Sequence, residues 1–338
     1  MGGGGGPLTA VRLCLLGCGA VARTHSRVAR SLGRIDLLFA SRSREKAEAY
    51  NRRFGGIGAF GGYEEACADP RVDAVFVCTP QAFHVEHATL AARHGKAVLI
   101  EKPVTRTLAE LETIAAAVDA AGVICMVAEN YHFKPALRVL RRHLDAGDIG
   151  QALFFELNRA GRQRPTGWRA DAGLMGGGAL LEGGVHWVNY LCGLGGAVRE
   201  VCAARPETGR PLVAPFEDGL EVLVRFETGA VGKLLHAWSV TNRLAGLGLS
   251  KIYGTEGNIT FESNGLFALV TGRRTRLRFP GVRDLMGYRA MLRHFITCVR
   301  ERREPDVSLA VARRELAVVL AAYRSLETRR FEPLVTED

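Results

Sequence analysis

The 338-residue sequence has no Cys-x-x-Cys pair, no uninterrupted apolar run of 18 residues, and only six lysines. Each shortage excludes something. The eight cysteines, Cys14, Cys18, Cys67, Cys78, Cys125, Cys192, Cys202 and Cys298, mostly lie in apolar runs. There Cys behaves as a small hydrophobe, so a reducing compartment is expected, with neither a zinc site nor a disulfide framework. The longest apolar candidate, around Ala115 to Ala128, is broken by Asp119 and is too short to span a bilayer. The opening run Gly2 to Gly6 lacks the basic and apolar regions of a signal peptide. Residues 1–10 therefore read as a flexible terminus, and the protein as soluble and cytoplasmic with no membrane partner. Lysine is scarce because arginine replaces it: 39 Arg and 6 Lys leave a formal net charge of +10. The basic residues are dispersed. The densest cluster, Arg273, Arg274, Arg276 and Arg278, alternates with Leu277 and Phe279 like the wet face of a strand, so no nucleic-acid partner is expected. No His/Asp/Glu set has metal-ligand spacing, so no metal is expected.

What is present is an ordinary globular composition, 47% hydrophobic and 24% charged, with enough length for two domains. From Val11 to Ala128 short apolar runs alternate with helical patterns. The runs are Val11 to Leu16, Ile35 to Ala40, Ala74 to Cys78, Ala97 to Ile100 and Val123 to Ala128. Apolar strands separated by 10–15-residue helices indicate a parallel sheet covered on both faces, a doubly wound α/β domain over residues 11–129. After Asn130 the pattern changes. A basic helix, Pro135 to Ala146, precedes alternating strands at Leu153 to Asn158, Val198 to Ala203, Leu220 to Phe226, Val231 to Trp238, Leu247 to Tyr253, Asn258 to Phe261 and Leu266 to Thr271. Two helices, Asp284 to Glu301 and Leu309 to Thr328, close the chain. Residues 130–338 are thus expected to form an α+β domain with a large, open, mostly antiparallel sheet.

The first motif with chemistry is Gly17-x-Gly19-x-x-Ala22, between a strand and a helix. Gly17 permits a tight turn and Gly19 a close approach of the backbone to a pyrophosphate. Free N–H groups near Ala20 and Val21 would hold the anion at the positive helix end. Where NAD-binding proteins commonly place a carboxylate for the ribose 2′-OH, this chain reads Ser41-Arg42-Ser43-Arg44, with Lys46 following. Hydroxyl and cationic groups favour NADP over NAD, with Ser41, Arg42 and Lys46 as its contacts. Glu182 and His186 are four residues apart, hence on one helical face; that spacing alone more often marks a solvated helix pair. Asn130 or Tyr131, just past the last parallel strand, could line a nicotinamide pocket at the carboxyl edge of the sheet.

The glycine loop, Cys78-Thr79-Pro80-x-x-x-His84, Gly95-Lys96-x-Val98-x-x-Glu101-Lys102-Pro103 and Gly254-Thr255-Glu256-Gly257 occur in an order that resembles the Gfo/Idh/MocA oxidoreductases, over about Val11 to Thr328. The resemblance implies an NAD(P)-dependent enzyme that moves a hydride between nicotinamide and a sugar, cyclitol or related polyol. It assigns Lys102 to contact both the nicotinamide ribose and the substrate hydroxyl. It places Thr79, Pro80, His84, Glu101, Asn130 and Arg169 among the cofactor contacts, and makes His186 the proton carrier. The family usually carries Asp where this chain has Glu182, so Glu182 is expected to orient His186 or to touch substrate. Two other classes fit the same motifs: an enzyme that recycles a tightly held nucleotide, and a non-catalytic nucleotide sensor. Apolar residues such as Leu234, Leu235, Ala237 and Trp238 on the open sheet, and the habit of the family, point to a homodimer or homotetramer formed through that sheet.

Overall fold

A computed structural model describes residues 10–207, 215–242 and 248–334; the Gly2 to Gly6 run and the start of the strand expected at Leu247 lie outside them. The chain divides into two compact units that are not contiguous stretches. The first comprises the described residues up to Val104, Ala109–Ala128 and Met291–Leu309; the second comprises Thr105–Leu108, Glu129–Ala290 and the described residues from Ala310. One crossing of the chain lies between Ala128 and Glu129, one residue before the boundary expected at 129/130, and most of the helix before the last belongs with the first unit.

The first unit is built on six parallel strands, β1 (Val11–Leu16), β2 (Ile35–Ala40), β3 (Gly58–Phe60), β4 (Ala74–Val77), β5 (Ala97–Ile100) and β6 (Cys125–Val127). Their order is 3-2-1-4-5-6, the doubly wound arrangement in which ligands bind at the carboxyl ends of the strands, where the order reverses beside β1. Every residue of β4 and β5 is buried, as expected of strands covered by helices on both faces. Strand β3 has no counterpart in the expected elements: three residues, Gly-Ala-Phe, give no periodicity to read. Helices α1 (Ala20–Arg30), α2 (Arg44–Phe54), α3 (Tyr63–Ala68), α4 (His84–Arg93) and α5 (Leu108–Ala121) lie between the strands, where the sequence shows helical patterns. The topology brings the glycine loop, Ser41, Thr79 and the Glu101-Lys102 turn to the carboxyl ends of β1, β2, β4 and β5.

The second unit carries α6 (Pro135–Asp145), β7 (Ala152–Ala160), α7 (Ala172–Met175), α8 (Val185–Gly195), β8 (Val198–Ala204), β9 (Gly219–Phe226), β10 (Val231–Ala237), β11 (Leu249–Gly254), β12 (Asn258–Glu262), β13 (Ala268–Thr271) and β14 (Arg276–Arg278). After α9 (Tyr288–Glu301) of the first unit come α10 (Leu309–Thr328), which lies in the second unit from Ala310, and β15 (Glu332–Pro333). The nine strands are ordered 14-13-12-11-7-10-9-8-15, and only the β7–β10 pair is parallel. One face is dry: Phe155, Leu157, Leu220, Val222, Val224, Phe226, Leu234, Ile252, Ile259 and Phe261 are buried, under Trp187, Val188, Tyr190 and Leu191 of α8. Gly195 is fixed by this packing, because a Cβ there would lie 2.2 Å from the Phe226 ring. The opposite face exposes Phe154, Leu223, Leu249 and Leu277. Of the apolar residues expected to need cover, Leu234, Ala237 and Trp238 are buried within the chain. The Gly254-Thr255-Glu256-Gly257 segment is a tight β11–β12 turn, in which Gly254 N–H donates to Gly257 O at 2.8 Å.

Candidate functional site

In the first unit, Gly17 leaves β1 at φ +100°, and a Cβ there would stand 3.0 Å from the Cys78 carbonyl. Backbone conformation and space both require glycine. Gly19 is the N-cap of α1, with no side-chain capping bond and no acid in the first turn. Nothing lies within 4 Å of where its Cβ would be. The N–H groups of Ala20 and Val21 therefore open an uncapped positive helix end onto empty space, the cradle a pyrophosphate fills. Tyr50 O–H donates to Gly19 O at 3.0 Å and ties α2 to the loop. At the end of β2 the buried Ser41 accepts from Ser43 N–H at 3.3 Å, and Ser43 Oγ caps α2 by accepting from Lys46 N–H at 3.2 Å. Arg44 is committed to Glu65 at 2.8 Å. Arg42 and Lys46 are exposed, and neither has a side-chain ion pair among the described residues.

His84, expected at the cofactor, is instead buried. Its ring nitrogens lie 3.0 Å from the carbonyls of Val104 and Thr79, and burial lowers its pKa; it braces the loop after β4. The Thr79 hydroxyl is 2.9 Å from His87 Nδ1. Glu101 is also an anchor. One carboxylate oxygen meets His25 Nε2 at 2.5 Å, and the other accepts from Lys102 N–H at 3.1 Å. His25 of α1 thus ties to that helix the turn that carries Lys102.

In the second unit, His186 sits in the first turn of α8, and its Nδ1 lies 2.6 Å from Glu129 Oε1. A carboxylate only accepts, so Nδ1–H donates and Nε2 is left to take or give a proton. The same Glu129 oxygen accepts from Tyr131 N–H at 2.9 Å. The Tyr131 ring stacks on the imidazole, centroids 4.4 Å apart and planes 12° from parallel. Behind that ring, Lys134 Nζ stands 4.2 Å from the Tyr131 centroid, fully buried, its pKa pushed down to about 8 by loss of water. Glu182 does not orient His186: its carboxylate takes Arg169 Nε at 2.6 Å. It lies in a π-helical turn, Leu180–Gly184, and the extra residue in that turn breaks the i, i+4 relation assumed from spacing. Arg169 also lies over the Trp168 ring, 4.4 Å from its centroid. Asn130, expected at the nicotinamide, is buried and donates to Met286 O at 2.6 Å.

The start of the π-helical turn and α8 is held by two side chains. Glu217 accepts from Leu180 N–H at 2.8 Å, and Tyr323 Oη accepts from Gly178 and Leu181 N–H at 3.1 and 3.2 Å. Gly178 must be glycine, since its Cβ would fall on Glu217 Oε2. Burial raises Glu217 to about 7. On the next turn after His186, Asn189 donates to Glu315 of α10; burial, then the charge of Glu129, pushes Glu315 up to about 8. Among the described residues no cluster of His, Cys, Asp and Glu could hold a metal, and no helix is long and apolar enough to cross a membrane.

Two family models match the chain: "Oxidoreductase family, NAD-binding Rossmann fold" over residues 11–129, and the GFO/IDH/MocA C-terminal domain over 137–260. The 1,5-anhydro-D-fructose reductase of Ensifer adhaerens is 32% identical over 251 residues, covering 72% of this chain and 74% of the relative. The levoglucosan dehydrogenase of Pseudarthrobacter phenanthrenivorans is 29% identical over 253 residues, covering 67% of this chain and 64% of that protein, just under two thirds of its length. A solved levoglucosan dehydrogenase complex with NADH and levoglucosan shares the fold, with a TM-score of 0.87 at 23% identity, covering 96% of this chain and 100% of that one.

Proposed function

The chain belongs to the Gfo/Idh/MocA oxidoreductase family, and from that premise we propose that it is a nicotinamide-dependent dehydrogenase or reductase acting on a hydroxyl or carbonyl of a sugar, cyclitol or related polyol. The observation that carries the reading is the stacked, carboxylate-held His186, with Nδ1 bonded to buried Glu129. A structural histidine does not need a fixed tautomer with a free Nε2; a general acid–base does. In this reading the nucleotide, held by the Gly17 to Val21 loop, supplies the hydride chemistry. His186 exchanges the proton of the reacting oxygen through Nε2, Glu129 stabilises the imidazolium, and Lys102 polarises the same oxygen. Arg169 and Glu182 act as a pair that positions substrate. Arg42, Ser41 and Lys46 favour NADP, since no carboxylate closes β2 and the Arg42 charge has no acid partner. The exposed Phe154, Leu223, Leu249 and Leu277 face is the surface for a homodimer or homotetramer.

A polyol screen followed by absorbance of the reduced nicotinamide tests the reading. His186→Ala should lower kcat by about 10²–10⁴ with nucleotide affinity intact. Full turnover by that variant overturns the acid–base role. A protein that binds nucleotide but turns over no polyol is a sensor, and one purified with nucleotide already bound is of the self-recycling class.

A further inference from the structure

Arg159 is the second-last residue of β7 and the last on its dry face. Phe155 and Leu157 are buried on that face, so the two-residue alternation points Arg159 the same way. Its partner across the parallel pair is His236 of β10, also buried. A Cβ added at Gly183 or Gly184, just ahead of Val185 and His186, would lie 3.3 Å from the His236 ring, so that ring packs against this turn. Arg159 is therefore placed at the end of the sheet, near the turn that leads into the helix of the acid–base histidine. Its charge is felt by both Tyr131 and Lys134, the two residues layered behind His186.

Every other cation of this cluster has a partner. Arg169 holds Glu182; Lys134 is near Glu262 and bonds Ser263 O at 3.5 Å. Arg162 and Arg164, further along the chain, are exposed and solvated. Arg159 is half-buried, and among the described residues it has no hydrogen bond and no ion pair. A guanidinium cannot shed its proton to escape desolvation, so an unpaired one beside a reaction centre fits an anion that arrives from outside. Its planar fork matches the two oxygens of a carboxylate, and also a phosphate.

We propose that Arg159 is a specificity-determining residue that receives an anionic group of the substrate, so that this enzyme acts on an acidic polyol of sugar size rather than on a neutral one. The inference rests on the dehydrogenase reading above and names its substrate class. The test uses pairs that differ only in the anionic group: D-glucuronate with D-glucose, D-galacturonate with D-galactose, D-gluconate with D-glucitol. D-glucose 6-phosphate is the phosphate arm. Binding to the nucleotide-loaded protein is measured by calorimetry, and turnover by nicotinamide absorbance. At least one anion should bind on the order of 10- to 100-fold more tightly than its neutral counterpart, the worth of a charge-assisted pair. Arg159→Met should erase that ratio, and Arg159→Lys should restore part of it; thermal unfolding of both checks that they fold. Preference for a sugar acid identifies the anion as a carboxylate, and preference for the hexose phosphate identifies a phosphate. If neutral polyols are oxidised and no anion is favoured, Arg159 does not select substrate while the dehydrogenase reading stands. Arg159-dependent anion binding without nucleotide reduction keeps the anion site and overturns the dehydrogenase reading. Neither binding nor turnover overturns both.

Discussion

Replacing Glu129 by Gln isolates what its charge does for His186. The side chain keeps its shape, and Tyr131 N–H, which donates to Glu129 Oε1 at 2.9 Å, should hold the carbonyl oxygen of the amide in the same place. Nδ1–H of His186 can still donate to that oxygen, so the tautomer survives and the negative charge alone is lost. A hydrogen bond to a charged group is worth about 1.5–3 kcal/mol and a neutral one about 0.5–1.5; the difference, about 1–2 kcal/mol, is the stabilisation withdrawn from the imidazolium formed in the transition state. At roughly 1.4 kcal/mol per factor of ten, kcat should fall about 5- to 30-fold. The assay is initial-rate kinetics on the best polyol of the screen, in ordinary and heavy water. KM for the nucleotide should not move, because its loop lies in the other unit, and the solvent isotope effect should rise as proton transfer becomes slower. Glu182→Gln is the control, since that carboxylate holds Arg169. Wild-type kcat in Glu129→Gln refutes the reasoning. So does a loss that Glu182→Gln reproduces with the same isotope signature, since Glu182 would then be the group acting on His186.

Arg42→Ala should weaken NADPH binding by about 1.5–3 kcal/mol, roughly 10- to 150-fold, and leave NADH nearly unchanged; a wild-type preference for NADH in fluorescence titration contradicts the assignment. Glu315, raised to about 8 by burial, keeps its proton in the folded state over a range where the unfolded chain has lost it. Stability should therefore fall as pH rises from about 5 to 8, by on the order of 2–4 kcal/mol. Denaturant titrations should show a flatter profile for Glu315→Gln, and an equally steep one rules out this origin. Phe154→Glu, on the exposed face of the second sheet, should convert the expected dimer or tetramer to monomers by light scattering; a monomeric wild type at micromolar concentration removes that interface.

The layered logic of the first unit, helices on both faces of a parallel sheet, was legible because its signals are local. Fully apolar strands such as Ala74–Val77 can only belong to a sheet covered on both sides, and Gly17 directly after an apolar run marks the turn that the structure places at φ +100°. The family itself was readable for the same reason: the glycine loop and the Glu101-Lys102-Pro103 element are short motifs that close on themselves. The partnerships among functional side chains were not local. Glu129 and His186 are 57 residues apart, and His25 and Glu101 are 76 apart; no spacing rule connects them, so neither Glu129 nor His25 is assigned a role from the sequence. Glu182 illustrates the opposite error. Four residues from His186, it satisfied the helical rule, but a π-helical turn at Leu180–Gly184 changed the local geometry and Arg169 claimed the carboxylate. The face of the second sheet followed the same division. Alternation along Val231–Ala237 was visible in the sequence, but which set of side chains met α8 and which met solvent depended on register across nine strands. Chain-local sterics and burial patterns wrote the elements; long-range packing alone decided which acid stands beside which base.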